Sequence, residues 1–325
     1  MIASLILASS MANAIQAEPV ELLRKFKAGE KFGYQVRSHL LIETQQEGNP
    51  FFLPEEEELN YDATLEIKKL KADGFAEAIY LRPTMILVQG DSADGERKEH
   101  PEKVNFNLSL NLSPINEITD VKDLNAPVKK PVKSGGGGSR FMRMFGPKIP
   151  GTQVDLSFIQ DLQRMSIFIG SIDSSLDLSP KLPFEEVKKG DSWKRTVSYQ
   201  PQKVKNEKGK MAVQRIDFTY VYDGMVEYNK QKVHQITGTL HLDTDAGAYI
   251  NQMMGTTPGQ SGLKSIPMKL DSKIVYYLED KTMHTILCKA ESLGNWQIIL
   301  SSGDGSPVIE QKLKGEVTCK LTSHK

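Results

Sequence analysis

Carboxylates are the first candidates for chemistry in this sequence. Glu55, Glu56, Glu57 and Glu58 follow Pro54 without interruption, and paired acids can relay a proton or hold a cation. Consecutive side chains of extended backbone face opposite ways, so the four are expected on a solvated loop rather than at a converging site. Asp243-Thr244-Asp245-Ala246-Gly247 has the outline of a calcium loop, but its glycine comes one place early and Met254 stands where the bidentate acid belongs. Between two alternating segments it reads as a hairpin turn. His39, His100, His234, His241, His284 and His324 are dispersed, without the spacing that puts two imidazoles on one zinc. His241 and Asp243 share a strand face and read as a structural pair. Nucleophile-elbow, Walker and dinucleotide motifs are all missing, and the four glycines at 135–138 lack the Lys-Ser/Thr of a phosphate cradle. No catalytic, cofactor or metal-binding residue is assigned. A hydrolase built from residues distant in sequence is the alternative, because triads are defined by geometry.

The best binding candidate is apolar. Phe141, Met142, Met144, Phe145 and Ile149 cluster among Arg140, Arg143 and Lys148. Methionine-rich patches adapt to varied apolar partners, although the same side chains could simply pin a linker to a sheet. Lys+Arg and Asp+Glu both number 41, so the formal net charge is zero and no global field recruits nucleic acid or anionic lipid. The expected partner is a protein or an apolar ligand, with no cofactor.

The elements that must position these residues are mostly strands. Residues 22–26 and 32–42 are rich in β-formers, with Gly29 between them for a turn, which predicts a hairpin. Residues 61–70 alternate and turn at Asp73-Gly74 into 75–81, while 104–112 puts Phe106, Leu108, Leu110 and Leu112 on one face before Ser113-Pro114. Residues 127–151 form a Gly/Pro-rich linker, and Thr152 with Asp155 caps an amphipathic helix expected within 152–178. Strands resume at 193–199, 216–222, 233–242, 272–278, 283–290, 296–300 and 308–321 as a meander. Half-buried alternation implies antiparallel pairing. The fold expected is mainly β, as antiparallel sheets in two related modules, 18–126 and 179–325, with one helix after the linker.

The two modules are suggested by a recurrence. Phe26-Lys27-Ala28-Gly29-Glu30-Lys31-Phe32 with Val36 matches Val187-Lys188-Lys189-Gly190-Asp191-Ser192-Trp193 with Val197. Gly29 and Gly190 allow the positive φ of a tight turn, and Phe32 and Trp193 should enter the next strand facing the core. A glycine-turned hairpin at Asp73-Gly74 in one copy would correspond to Asp223-Gly224 in the other. The stretches at 25–34, 182–193 and 238–250 resemble uncharacterised exported bacterial β-rich proteins of unknown function. That resemblance implies export and a β-fold, and no activity.

Residues 1–17 read as an export signal, possessing an apolar core at 2–12 and small residues at Ala12, Ala14 and Ala17, but no basic start. No cysteine follows it to carry a lipid anchor, and no later apolar run reaches the roughly 20 residues of a membrane helix. The expected location is the periplasm or outside the cell, and the expected function is non-catalytic binding. Cys288 and Cys319 fall on the outer strands of a three-strand meander, at least about 9.5 Å apart. They are expected as free, buried thiols.

Overall fold

The computed structural model describes residues 18–90, 97–125, 179–199, 214–248, 251, 262–301, 305 and 307–325. The linker, the helix expected within 152–178, the export segment and the patch at Phe141, Met142, Met144, Phe145 and Ile149 lie outside these residues.

Alternation of apolar and polar side chains produces long antiparallel strands. They are β1 (Lys31–Gln46), β2 (Leu53–Leu70), β3 (Ala76–Gly90), β4 (Arg97–Leu112), β5 (Ile118–Asp123) and β6 (Ser192–Tyr199), followed by β7 (Gln214–Tyr228), β8 (Gln231–Asp245), β9 (Leu263–Ser265), β10 (Pro267–Glu279), β11 (Thr285–Leu300) and β12 (Pro307–His324). They form one 12-stranded sheet in the order β5-β4-β3-β2-β1-β12-β11-β10-β8-β7-β6, with β9 on β11. The two expected modules are therefore not separate sheets. Pairing of β1 with β12 along 15 positions, Phe32 to Gln46, fuses the two meanders, and a single core cluster runs beneath both.

The sheet is rolled. Eleven flat strands at about 4.8 Å spacing would hold β5 and β6 roughly 48 Å apart. Instead a short segment bridges them at one end. Leu182 N donates to Ile115 O (3.0 Å) and Asn116 Nδ2 to Pro180 O (3.0 Å), while Trp193 Nε1 of β6 donates to Lys181 O (2.7 Å). Leu22, Ile115, Leu182, Val187 and Met283, none of them in a strand, are buried here and seal this end. Val20 and Val187 add an isolated bridge, so 22–26 is coil pinned across the end rather than the first strand of a hairpin.

The two recurrent turns have the same bonding. Gly29 (φ +88) donates to Ile67 O and Ile67 N to Glu30 O; Gly190 (φ +93) donates to Tyr222 O and Tyr222 N to Asp191 O. In each, the acid side chain accepts from the amide three residues earlier, Lys27 or Lys188. Phe32 is fully buried, whereas Trp193 is half-buried and stacks on Tyr220.

Several sequence expectations need correction. Asp223-Gly224 is not a turn: Gly224 (φ +98) makes a register shift inside β7, and the reversal comes at Asn229-Lys230, where φ is +49 and +64. The stretches expected as two strands, 283–290 and 296–300, are joined in the single strand β11, which begins at Thr285. Glu55–Glu58 is no loop but part of β2, opposite Ile42 to His39, and Glu57 is buried at 3% exposure. The hairpin turn expected at 243–247 is not one: Asp243, Thr244 and Asp245 are the last residues of β8, paired with Lys269, Met268 and Pro267 of β10, and Asp245 Oδ1 accepts from Gly247 N and Ile266 N just beyond the strand end.

Candidate functional site

One face of the rolled sheet is apolar and buried; the other is charged. On the central strands the outward positions are Lys269, Asp271 and Lys273 of β10, Lys289 and Glu291 of β11, and Lys312, Lys314 and Glu316 of β12, all exposed. A lipid-facing barrel shows the reverse polarity, with an apolar band outside. Among the described residues no helix is long and apolar enough to cross a membrane.

Register lays a row of side chains across the inner face. Tyr222, Ile236, Tyr276, Cys288, Cys319, Val36 and Tyr61 are successive cross-strand partners from β7 to β2, and all are buried. Around this row lie Tyr34 and Tyr80, which with Tyr61 are near Cys319, and Tyr220, which with Tyr276 is near Cys288. Burial raises all five phenols, Tyr80 to about 12. The Arg82 guanidinium sits 4.5 Å over the Tyr61 ring and bonds its hydroxyl. The hydroxyls of Tyr80 and Tyr276 are buried without a hydrogen-bond partner among the described residues.

Toward the end opposite the sealed one the inner face becomes more polar. Trp296 Nε1 donates to Gln311 Oε1 (2.7 Å), and Gln311 Nε2 donates to Thr44 Oγ1 (2.8 Å), all three on that face. Ser272 and Ser292 meet across β10 and β11 at 2.7 Å. The site is thus an apolar wall carrying fixed hydroxyl, amide and guanidinium groups, which suits recognition of an amphiphile.

Histidine chemistry lies at the sealed end, and sequence spacing hid it. His234 Nε2 is 3.2 Å from Asp280 Oδ1, and its Nδ1 is 2.8 Å from Tyr222 Oη. A carboxylate only accepts, so Nε2 carries the proton and Tyr222 donates to the neutral ring. Burial lowers the His234 pKa against the pull of Asp280, and burial raises Tyr222 to about 12. A phenol so weakly acidic is a poor nucleophile. At the β10–β11 turn Thr282 Oγ1 donates to Glu279 (2.8 Å) and so accepts from His284 Nδ1 (2.6 Å). That orientation leaves His284 Nδ1 no proton to take from the threonine. Glu279 also accepts from the amides of Lys281 and Thr282, the bonding of a turn cap. His241 pairs with Asp271 across the outer face at 2.6 Å, rather than with Asp243, which pairs with Lys269 at 3.0 Å. His39 lies 3.7 Å from Glu56, and His324 stacks on Phe32. Among the described residues no three His, Cys, Asp or Glu side chains group to hold a metal.

One pH effect follows from His234. The unfolded imidazole, with pKa about 6.5, takes a proton more readily than the folded one, so stability falls as pH drops from about 6.5 toward the lowered folded value. Protonation would make Nδ1 a donor and reverse the bond, with Tyr222 Oη accepting in place of donating. In urea titrations across that range, His234→Gln should show a shallower loss than the parent chain; identical profiles would show that His234 titrates as in the unfolded state.

An outer groove of about 490 Å³ is lined by Leu41, Glu43, Lys269, Asp271, Leu293 and Lys314, among others. Its charges are mixed and largely paired: Lys269 with Asp243, and Lys314 with Glu316 at 3.6 Å.

No family model matches the chain, and no curated protein matches it. Among solved structures it is similar to lipovitellin, in a study of lipid–protein interactions, at 10% identity and a TM-score of 0.43 over 93% of this chain. The chain spans 26% of the length of that lipovitellin chain. It is also similar to Salmonella typhi OmpF in complex with daunomycin (7% identity, TM-score 0.25, 90% of this chain and 98% of that one). A third similarity is to a DUF1329 family protein from Desulfovibrio piger (7% identity, TM-score 0.16, 89% of this chain and 85% of that one). At these scores no function passes from any of them to this chain.

Proposed function

We propose that this chain is an exported, non-catalytic envelope protein that binds an apolar ligand within its rolled sheet. The observation that carries the reading is the pair of buried hydroxyls of Tyr80 and Tyr276, without a hydrogen-bond partner among the described residues, on a largely apolar wall. A buried hydroxyl without a partner costs about 1–3 kcal/mol, which a ligand bearing hydrogen-bonding atoms on an apolar body would recover. The five phenols and both thiols stay protonated at neutral pH, so the wall offers contacts rather than reactive groups. The finer parts of the proposal are export through residues 1–17, a protein partner at Phe141, Met142, Met144, Phe145 and Ile149, and descent of the two meanders from one duplicated unit. The identical bonding of the Gly29 and Gly190 turns supports the last.

The test is titration of the full chain with cis-parinaric acid, a fluorescent fatty acid. Saturable binding at one site is expected, weakened about 2- to 10-fold by Tyr276→Phe if its hydroxyl meets the ligand. Absence of saturable binding would overturn the proposal.

A further inference from the structure

Cys288 of β11 and Cys319 of β12 are direct register partners, because β11 is one strand and not two. Both are free, both are buried, and both point to the inner face. The expected separation of at least about 9.5 Å is thereby replaced by that of neighbours in an antiparallel ladder, about 4.5–5.5 Å between Cα atoms. That range lies inside the roughly 4.4–6.8 Å of disulfide-bonded cysteines. No other cysteine competes for either thiol.

We propose that Cys288 and Cys319 form a disulfide site that closes while the chain folds in the presence of a small-molecule disulfide, and is sealed afterwards by the core. In the unfolded chain both thiols ionise near the usual value of about 8.5. The thiolate of one attacks the S–S bond of oxidised glutathione, forming a mixed disulfide and releasing one glutathione thiolate. The other cysteine, deprotonated in turn, attacks the protein-bound sulfur. The Cys288–Cys319 bond forms, the second glutathione leaves, and two electrons pass from the protein thiols to glutathione disulfide while two protons are released from the cysteines and taken up by the leaving thiolates. Only a β hairpin has to form to bring the two together, so they meet before distant strands assemble. Once the sheet is rolled, burial pushes the Cys319 thiol up to about 12 and Cys288 well above its usual value. The thiolate needed for exchange is then scarce, and the site is out of reach of oxidant and reductant. The bond would staple β11 to β12, the strand that joins the two meanders through β1.

The experiment uses the full chain, unfolded and reduced in guanidinium and then refolded with a mixture of reduced and oxidised glutathione at pH 8. Thiols are alkylated after a second unfolding, and intact mass is measured. The expected result is a mass about 2 Da below the reduced chain, no alkylatable thiol, and a higher thermal midpoint than the reduced form. Cys288→Ser, refolded in the same way, should fold with an unchanged circular dichroism spectrum and retain one thiol, free or as a glutathione adduct. Folded, reduced protein exposed to the same mixture for the same time should keep both thiols. Two alkylatable thiols or persistent glutathione adducts in refolded parent chain would overturn the site. Equally fast oxidation of the folded form would overturn its sealing.

Discussion

Tyr220→Ala is expected to destabilise the protein by about 3–5 kcal/mol, measured as a shift of the urea midpoint at constant slope. Tyr220 is almost fully buried, and its ring lies between Trp193 of β6 and Phe218 of its own strand, with centroid distances of 5.6 and 5.9 Å. On the β8 side it faces Gly238, where no side chain intervenes before Tyr276 of β10. Truncation therefore opens a cavity walled by strands on both sides, where collapse is difficult. Gly238 supplies the internal control. A Cβ added there would sit 3.1 Å from Tyr220 Cε1 and 3.3 Å from Tyr276 Cε2, tighter than ordinary packing. Gly238→Ala alone should cost about 1–3 kcal/mol by overpacking. In the Tyr220→Ala background most of that cost should vanish, since the closest atoms are gone, giving a coupling of about 1 kcal/mol or more. Strict additivity would show that Tyr220 does not fill the space above the glycine.

Gly238 also illustrates what was legible in the sequence and what was not. Period-two alternation located nearly every strand, because each has one face in the core and one in water. Boundaries failed where glycine occurs for reasons other than a turn. At Gly294 a Cβ would lie 2.9 Å from Lys269 O, so the residue marks a close approach inside β11; taking 283–290 and 296–300 on either side of it as two strands moved Cys288 away from Cys319. At Gly224 the positive φ belongs to a bulge. The acidic run 55–58 reads as a solvated loop because neighbouring side chains of extended backbone do not converge on a site, yet pairing with β1 makes the run a strand with Glu57 turned inward. The candidate site was invisible for a related reason. Tyr34, Tyr61, Tyr80, Tyr220 and Tyr276 have no spacing that marks a site, and only the β1–β12 pairing brings the first three to the other two. His234 likewise finds Asp280 through the β8–β10 register rather than through any local motif.

The sealed end should fail at Leu182. Leu182→Ala is expected to cost about 2–5 kcal/mol, because the side chain is 0% exposed and belongs to the core cluster. Phe184→Ala, two residues on, should change stability by no more than about 1 kcal/mol: that ring is 72% exposed and lies against the Arg195 guanidinium at 4.7 Å. The contrast matters because Leu182 does more than fill space. Its amide donates to Ile115 O beside β5, and its carbonyl accepts from Arg195 Nη2 of β6 at 3.1 Å, so one residue touches both edges of the sheet. Lys181 repeats the link, donating through Nζ to Asn116 O (2.6 Å) and accepting from Trp193 at its own carbonyl. Neither β5 nor β6 has a second strand neighbour among the described residues, which makes these bonds the clasp that holds the roll closed. Loss of packing at Leu182 should loosen the clasp before it melts the centre. Amide exchange in β6 and the β4–β5 turn should then accelerate more than in β11 and β12, whose two flanks are both paired. Uniform acceleration across the sheet would mean that Leu182 is ordinary core and that the rolled shape is maintained by the strands alone.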